Sequence, residues 1–191
     1  MEVDPTRVRA FATPAEFGDW LRIHHAEAPE IWVKMLKKAS GEPSVTWQQA
    51  VVEAIAWGWI DGIKKSNDET SWFQRFTPRK PKSNWSKKNR EYAEQLIADG
   101  RMQPPGLAMV TLAKNSGKWD TAYAGQADME IPDWFLAALD GNPEAKRTFD
   151  GLKRSDLFAI YHRLHTAKTE KTRLARMQKI IATLSRGETL H

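Results

Sequence analysis

The sequence predicts a mainly α protein with one small antiparallel β-hairpin, an α+β class, and three observations carry that expectation. Helix-capping residues followed by apolar positions three and four apart recur along the chain. One aromatic-rich stretch, Ser71-Trp72-Phe73-Gln74-Arg75-Phe76, interrupts that period between turn-forming residues. The composition, 41% hydrophobic and 28% charged over 191 residues with nine tryptophans, suits a folded chain whose indoles need burial or a stacking partner.

The expected organisation is a single compact domain over 1–191, with an N-terminal arm at 1–12, a helical and hairpin part at 13–100 and a helical part at 101–187. Thr13-Pro14-Ala15-Glu16 pairs a capping box with proline in the first turn, and it leads into Phe17, Trp20, Leu21 and His24. Thr46 to Gln49 repeats the box before a helix through Ile55 and Trp57. Gly62, Asn67 and Asp68 then break the helical pattern, the hairpin is expected to pair roughly 62–66 with 72–77, and Asp61 is expected at the chain reversal that ends the preceding helix. Helix returns after Ser83 and runs through Tyr92, Leu96 and Ile97 to a Gly100 cap. A short helix follows Pro105, and others start at Ile131-Pro132 and Asn142-Pro143. Ser155 to Thr166 and Thr169 to Arg186 close the chain.

Several chemistries are excluded or placed second by composition. Without cysteine there is no disulfide, zinc thiolate or cysteine nucleophile. The first residues lack an apolar core behind positive charge, and the longest apolar run, Ala54 to Ile60, is far below the roughly 20 residues of a membrane span, so a cytoplasmic protein without membrane insertion is expected. His162 and His165, three apart on one helix, could share a metal, but no third ligand stands at a recognisable spacing. No metal site and no cofactor are expected, and the balance leans away from an enzyme.

The charge is local. Residues 74–90 carry seven cations and no acid, so a chain of net charge +5 sums to −2 outside that window. Phe76 and Trp85 sit among those cations. Ser83 or Ser86 can cap the helix that follows, and its free N–H groups beside Arg79 and Lys80 suit an anion. Asn89 shares a helical face with Trp85 and Leu96 and needs hydrogen-bond partners. The plainer reading of such a run is a solvated face. Upstream, Trp57-Gly58-Trp59-Ile60-Asp61-Gly62 reads either as two core indoles with a turn-capping carboxylate or as an aromatic wall with a carboxylate at its mouth. On the last helix Arg173 falls inside the apolar arc of Leu174, Met177, Ile180, Ile181 and Leu184, where it either snorkels or presents its fork to a carboxylate or phosphate.

Five ordered motifs carry a resemblance: Gly58-Trp59-Ile60-Asp61-Gly62; Phe76-Thr77-Pro78-Arg79 with Ser83-Asn84-Trp85-Ser86 and Asn89-Arg90; Gly100-Arg101-Met102 with Pro105-Gly106; Gly117-Lys118-Trp119 with Tyr123; and Ala167-Lys168 with Thr172-Arg173. Together, over roughly 11–187, they resemble the bacterial YdeI/OmpD-associated family, also labelled bacteriocin-protection proteins. The resemblance implies a role in stress or in protection from bacteriocins and antimicrobial peptides, and it brings no reaction or catalytic set.

The first functional expectation is a pocket for a small anionic or phosphate-bearing ligand, built from Trp57, Trp59, Asp61, Arg75, Arg79, Ser86, Asn89, Lys118, Trp119 and Arg173. The second is a nucleic-acid surface over 75–90, with Phe76 or Trp85 stacking on bases. A third is a protein-interaction module docking an acidic partner, whose identity stays open.

Overall fold

A computed structural model describes residues 2–190 and confirms the α+β class, with eight α-helices and one four-stranded sheet among the described residues. The chain divides into two compact units. The first runs to Trp85 and resumes from Asn89 to Thr121; the second comprises Ser86–Lys88 and the chain from Ala122 onward.

In the first unit the elements are β1 (Val8–Ala10), α1 (Pro14–His24), β2 (Ile31–Leu36), α2 (Trp47–Ala56), β3 (Trp59–Ser66), β4 (Ser71–Pro78), most of α3 (Lys87–Ala98) and α4 (Pro104–Asn115). The expected caps are present. The Thr13 hydroxyl accepts the Glu16 N–H at 3.3 Å, and Thr46 and Gln49 form a reciprocal box. From these starts α1 buries Phe17 and Leu21, and α2 buries Ala50, Val51, Ala54 and Ile55. Phe17 meets Phe76 of β4 at 5.3 Å between ring centroids, so helix and sheet share one core.

The sheet is larger than the hairpin expected from sequence. Its order is β1-β2-β4-β3, with β1 parallel to β2 and the other pairs antiparallel. Asp61, expected at the chain reversal after α2, lies instead inside β3 opposite Phe76, and the hairpin turns at 67–70, between the two expected strands. There the Asp68 carboxylate accepts the Thr70 N–H at 2.8 Å, and such bonds, first among them one with Ser71, hold its pKa down to about 2. A bulge between Asp61 and Lys64 shifts the register, and the buried Gln74 amide donates to the Gly62 carbonyl at 2.8 Å.

Glycine is required where α2 turns into β3 and where α4 crosses α2. Gly58 has φ +74°, and a Cβ there would stand 2.8 Å from the Pro105 carbonyl oxygen. At Gly106 a Cβ would lie 2.2 Å from the Ala56 carbonyl oxygen, an oxygen that already accepts the Gln103 N–H at 3.1 Å.

The second unit holds α5 (Asp133–Asp140), α6 (Pro143–Asp150), α7 (Arg154–His165) and α8 (Glu170–Ser185). Asn142 caps α6 through a 3.0 Å bond from the Ala145 N–H, as its Asn-Pro signature predicts. Phe135, Leu139, Ala145, Ile160, Leu164, Ile180 and Leu184 form the core. Burial on α8 begins at Met177, one turn later than the apolar arc implies: Leu174 is 46% exposed and Arg173 is exposed beside it. Arg173 is therefore on the arc but past the end of the core.

Candidate functional site

The loop after β4 determines where the basic segment goes. Pro78 and Pro81 keep residues 78–82 out of regular helix, and Ser83 closes a tight turn by accepting the Lys80 N–H at 3.1 Å. Ser83 is thus a turn residue, and Ser86 is the one that precedes α3. This path folds Trp85 inward, where it is 3% exposed, and the Arg79 guanidinium carbon stacks 3.8 Å above its ring. Arg79, 5% exposed, also donates to the Asn84 carbonyl at 2.9 Å.

The second cation arrives from the end of α4. Lys118 is buried and its Nζ donates to the Lys82 carbonyl, in the same loop that receives Arg79. Its neighbour Trp119 packs edge-on against Trp85 at 5.0 Å, with Lys114 5.3 Å from the Trp119 ring. Arg90 donates to the Trp119 carbonyl at 3.2 Å. The 79–85 loop, Arg90 and the 114–119 stretch are thereby joined through two indoles and the carbonyls of Lys82, Asn84 and Trp119.

Asp61 adds the nearby acid. Burial pushes its carboxyl above the ordinary range, while the Trp47 Nε1–H bond at 3.3 Å and the Arg79 charge pull it partly back. Trp47 does not figure among the sequence-read candidates; as the first residue of a helix it carries no local sign that its indole reaches Asp61.

The remaining candidates serve elsewhere. Trp59 is 1% exposed, donates its Nε1–H to the His25 carbonyl at 3.2 Å and meets Trp20 edge-on, which makes it core. Trp57 is half-buried and stacks on His25 at 4.7 Å. Arg75 binds Glu30 at 2.6 Å through Nε and at 2.5 Å through a terminal nitrogen. Ser86 pairs with Tyr123 in an isolated parallel bridge, and Asn89 is half-buried on α3. Arg173 belongs to the second unit, 5.8 Å from the Trp134 ring.

The Glu30 pair supplies a stability test. Burial alone would raise the Glu30 carboxyl, but Arg75 and Arg7 outweigh it and hold the group below its ordinary 4.5. A depressed carboxyl contributes stability above its unfolded pKa, and that contribution is lost as pH falls through the lower folded value. Glu30→Gln should cost about 2 kcal/mol in urea unfolding at pH 7. The deficit should shrink toward pH 3; a pH-independent deficit would contradict the charge assignment.

Phe76 is fully buried and Trp85 nearly so, hence neither offers a ring face to a base, although Lys80, Lys82, Lys87 and Lys88 remain exposed. The histidine pair serves ring packing: His162 meets Tyr123 at 4.7 Å and His165 meets Tyr161 at 5.2 Å. No group of three metal-ligating side chains occurs among the described residues. Nor is any helix among them long and apolar enough to cross a membrane.

Two family models match the chain. A domain of unknown function, DUF8412, covers residues 9–109, just over half the chain and within the first unit apart from Ser86–Lys88. A model described as bacteriocin-protection, YdeI or OmpD-associated covers 128–187, within the second. No curated protein and no solved structure matches it.

Proposed function

We propose, for a chain that belongs to the DUF8412 family over its first half and to the bacteriocin-protection, YdeI or OmpD-associated family over 128–187, that its first unit binds a small phosphate-bearing anion at the Arg79–Lys118 centre. One observation carries this reading: two basic side chains, 39 positions apart in sequence, are both nearly excluded from water around the Trp85–Trp119 pair. Burying one charge is costly and burying two of one sign is more so, unless negative charge is close. Asp61 supplies some of it, but burial pushes that carboxyl toward its neutral form. A dianion suits two such side chains, since guanidinium and ammonium together match the charge and donor geometry of a phosphate group. The exposed Lys80 and Lys82 would draw such an ion toward the loop.

The chemistry proposed is recognition, with no catalytic step assigned. Its physiological setting, on the family's description, would be protection from bacteriocins or a related stress, and the protein would work in the cytoplasm.

Calorimetric titration with inorganic pyrophosphate is the test. The parent protein should bind it, and Lys118→Met should weaken binding at least tenfold, about 1.4 kcal/mol. Lys118→Arg should retain most of the affinity, which separates loss of charge from loss of fold. Absence of heat and of thermal stabilisation by pyrophosphate in the parent would end this reading. Single-stranded DNA bound at low salt, steeply weakened by added salt and indifferent to Lys118→Met, would favour the nucleic-acid surface instead.

A further inference from the structure

The second unit contains a cavity of about 250 Å³ that the phosphate reading does not use. It is lined by Pro132 and Trp134 at the start of α5, Leu164 and His165 at the end of α7, Ala167 in the following link, and Arg173 on α8. Three chain segments therefore meet there, and each brings a different chemistry. Trp134 is 38% exposed and offers a flat apolar face. Arg173 holds its guanidinium 5.8 Å from that ring, and among the described residues no carboxylate or carbonyl accepts a hydrogen bond from it. His165 packs on Tyr161, 5.2 Å between ring centroids, at the cavity wall.

The charge count selects the guest. Arg173 is the sole permanent cation among the lining residues, and no acid lines the cavity, so one negative charge is matched there and two are not. Asp133 and Glu170 stand in the first turns of α5 and α8, both exposed and neither bridged to Arg173. The guanidinium fork accepts a carboxylate in two parallel hydrogen bonds, and an indole beside it stacks on a planar ring. We infer that this cavity is a second binding site, and that its ligand class is a small aromatic carboxylate. The inference is independent of the phosphate site: it rests on other residues, in the other unit, and on a different charge requirement. It also gives Arg173, which stands beyond the core of its helix, a partner of the right shape.

Benzoate is the probe, titrated into the full-length protein and followed by the NMR signals of the ligand and by Trp fluorescence. A ligand of this size should bind with Kd about 1 mM, near the affinity expected for so few heavy atoms. Acetate, which lacks the ring, and benzyl alcohol, which lacks the charge, should each bind at least tenfold more weakly. Arg173→Gln and Trp134→Leu should each weaken benzoate at least tenfold, and because both side chains are exposed the variants should unfold close to the parent temperature. Arg173→Lys should fall between. Lys118→Met should leave benzoate binding unchanged, so failure at one site is distinguishable from failure at the other. Equal binding of acetate and benzoate, an unaltered affinity in Arg173→Gln, or displacement of benzoate by equimolar inorganic phosphate would overturn the assignment.

Discussion

Gly106→Ala is expected to destabilise the first unit by about 3 kcal/mol or more, the largest loss from adding a single methyl group to this chain. Gly106 lies where α4 crosses the end of α2. Its missing side chain leaves room for three atoms: the Ala56 carbonyl oxygen, the Met102 sulfur and the Ile55 carbonyl oxygen, at 2.2, 2.6 and 2.7 Å from where a Cβ would stand. The sulfur ends a flexible side chain and can yield. The two carbonyls are the last turn of α2 and cannot move without carrying Trp57 and the positive-φ Gly58 with them. Since Ala56 O also accepts the Gln103 N–H, separating the helices breaks the bond that starts α4. Urea unfolding of Gly106→Ala and of a control at Ala108, on the exposed side of α4, should differ by that amount. A control-like value would mean that the helices do not approach as closely as described.

Arg79→Met is the second large effect, and it acts on stability and on binding together. The substitution keeps an unbranched chain over Trp85 but removes the cation, the bond to Asn84 and the charge that offsets Asp61. A buried carboxylate that loses its cation typically costs 3–5 kcal/mol, and because Asp61 retains the Trp47 bond and is only partly enclosed, about 3 kcal/mol is expected. Asp61→Asn should cost less. It keeps an acceptor for Trp47 and abolishes the ionisation that burial disfavours, but it also withdraws the negative charge beside Arg79, so at pH 7 its loss should be smaller than that of Arg79→Met, and pyrophosphate should bind more tightly. The double variant should recover more than about 1 kcal/mol of the Arg79→Met loss, a coupling seen between neighbours and absent between independent sites. Strict additivity would show that the two charges do not interact. Pyrophosphate binding should be lost in Arg79→Met at every pH.

Helices were legible because their determinants are local. Thr13, Thr46 and Asn142 announce their helices within four residues, and each makes the bond its position predicts. The hairpin was legible for the same reason, through the aromatic alternation at 71–76. The two further strands were not. Ile31–Leu36 is buried on both faces, so it lacks the period that distinguishes a half-exposed strand, and its partners stand some 40 residues away in β4. Val8–Ala10 is three residues long, too short for any pattern. The candidate site divides along the same line. That Arg79, Trp85, Lys118 and Trp119 belong together could be guessed from type and order, but Arg75 is diverted by Glu30, which lies in a different segment. Arg173 shows the limit of a helical wheel: the angle around the axis follows from the sequence, whereas the point along the axis at which the core ends depends on what the other helices cover.

The sheet's two borders have a consequence for the protein at high concentration. One border is β1, a strand of three residues; the other is β3, which carries a bulge and the exposed residues Lys64 and Lys65. A ribbon that grew by adding strands from a second molecule would need a longer, flatter and uncharged margin. Neither rim provides one, so the sheet's own borders resist fibrillar stacking.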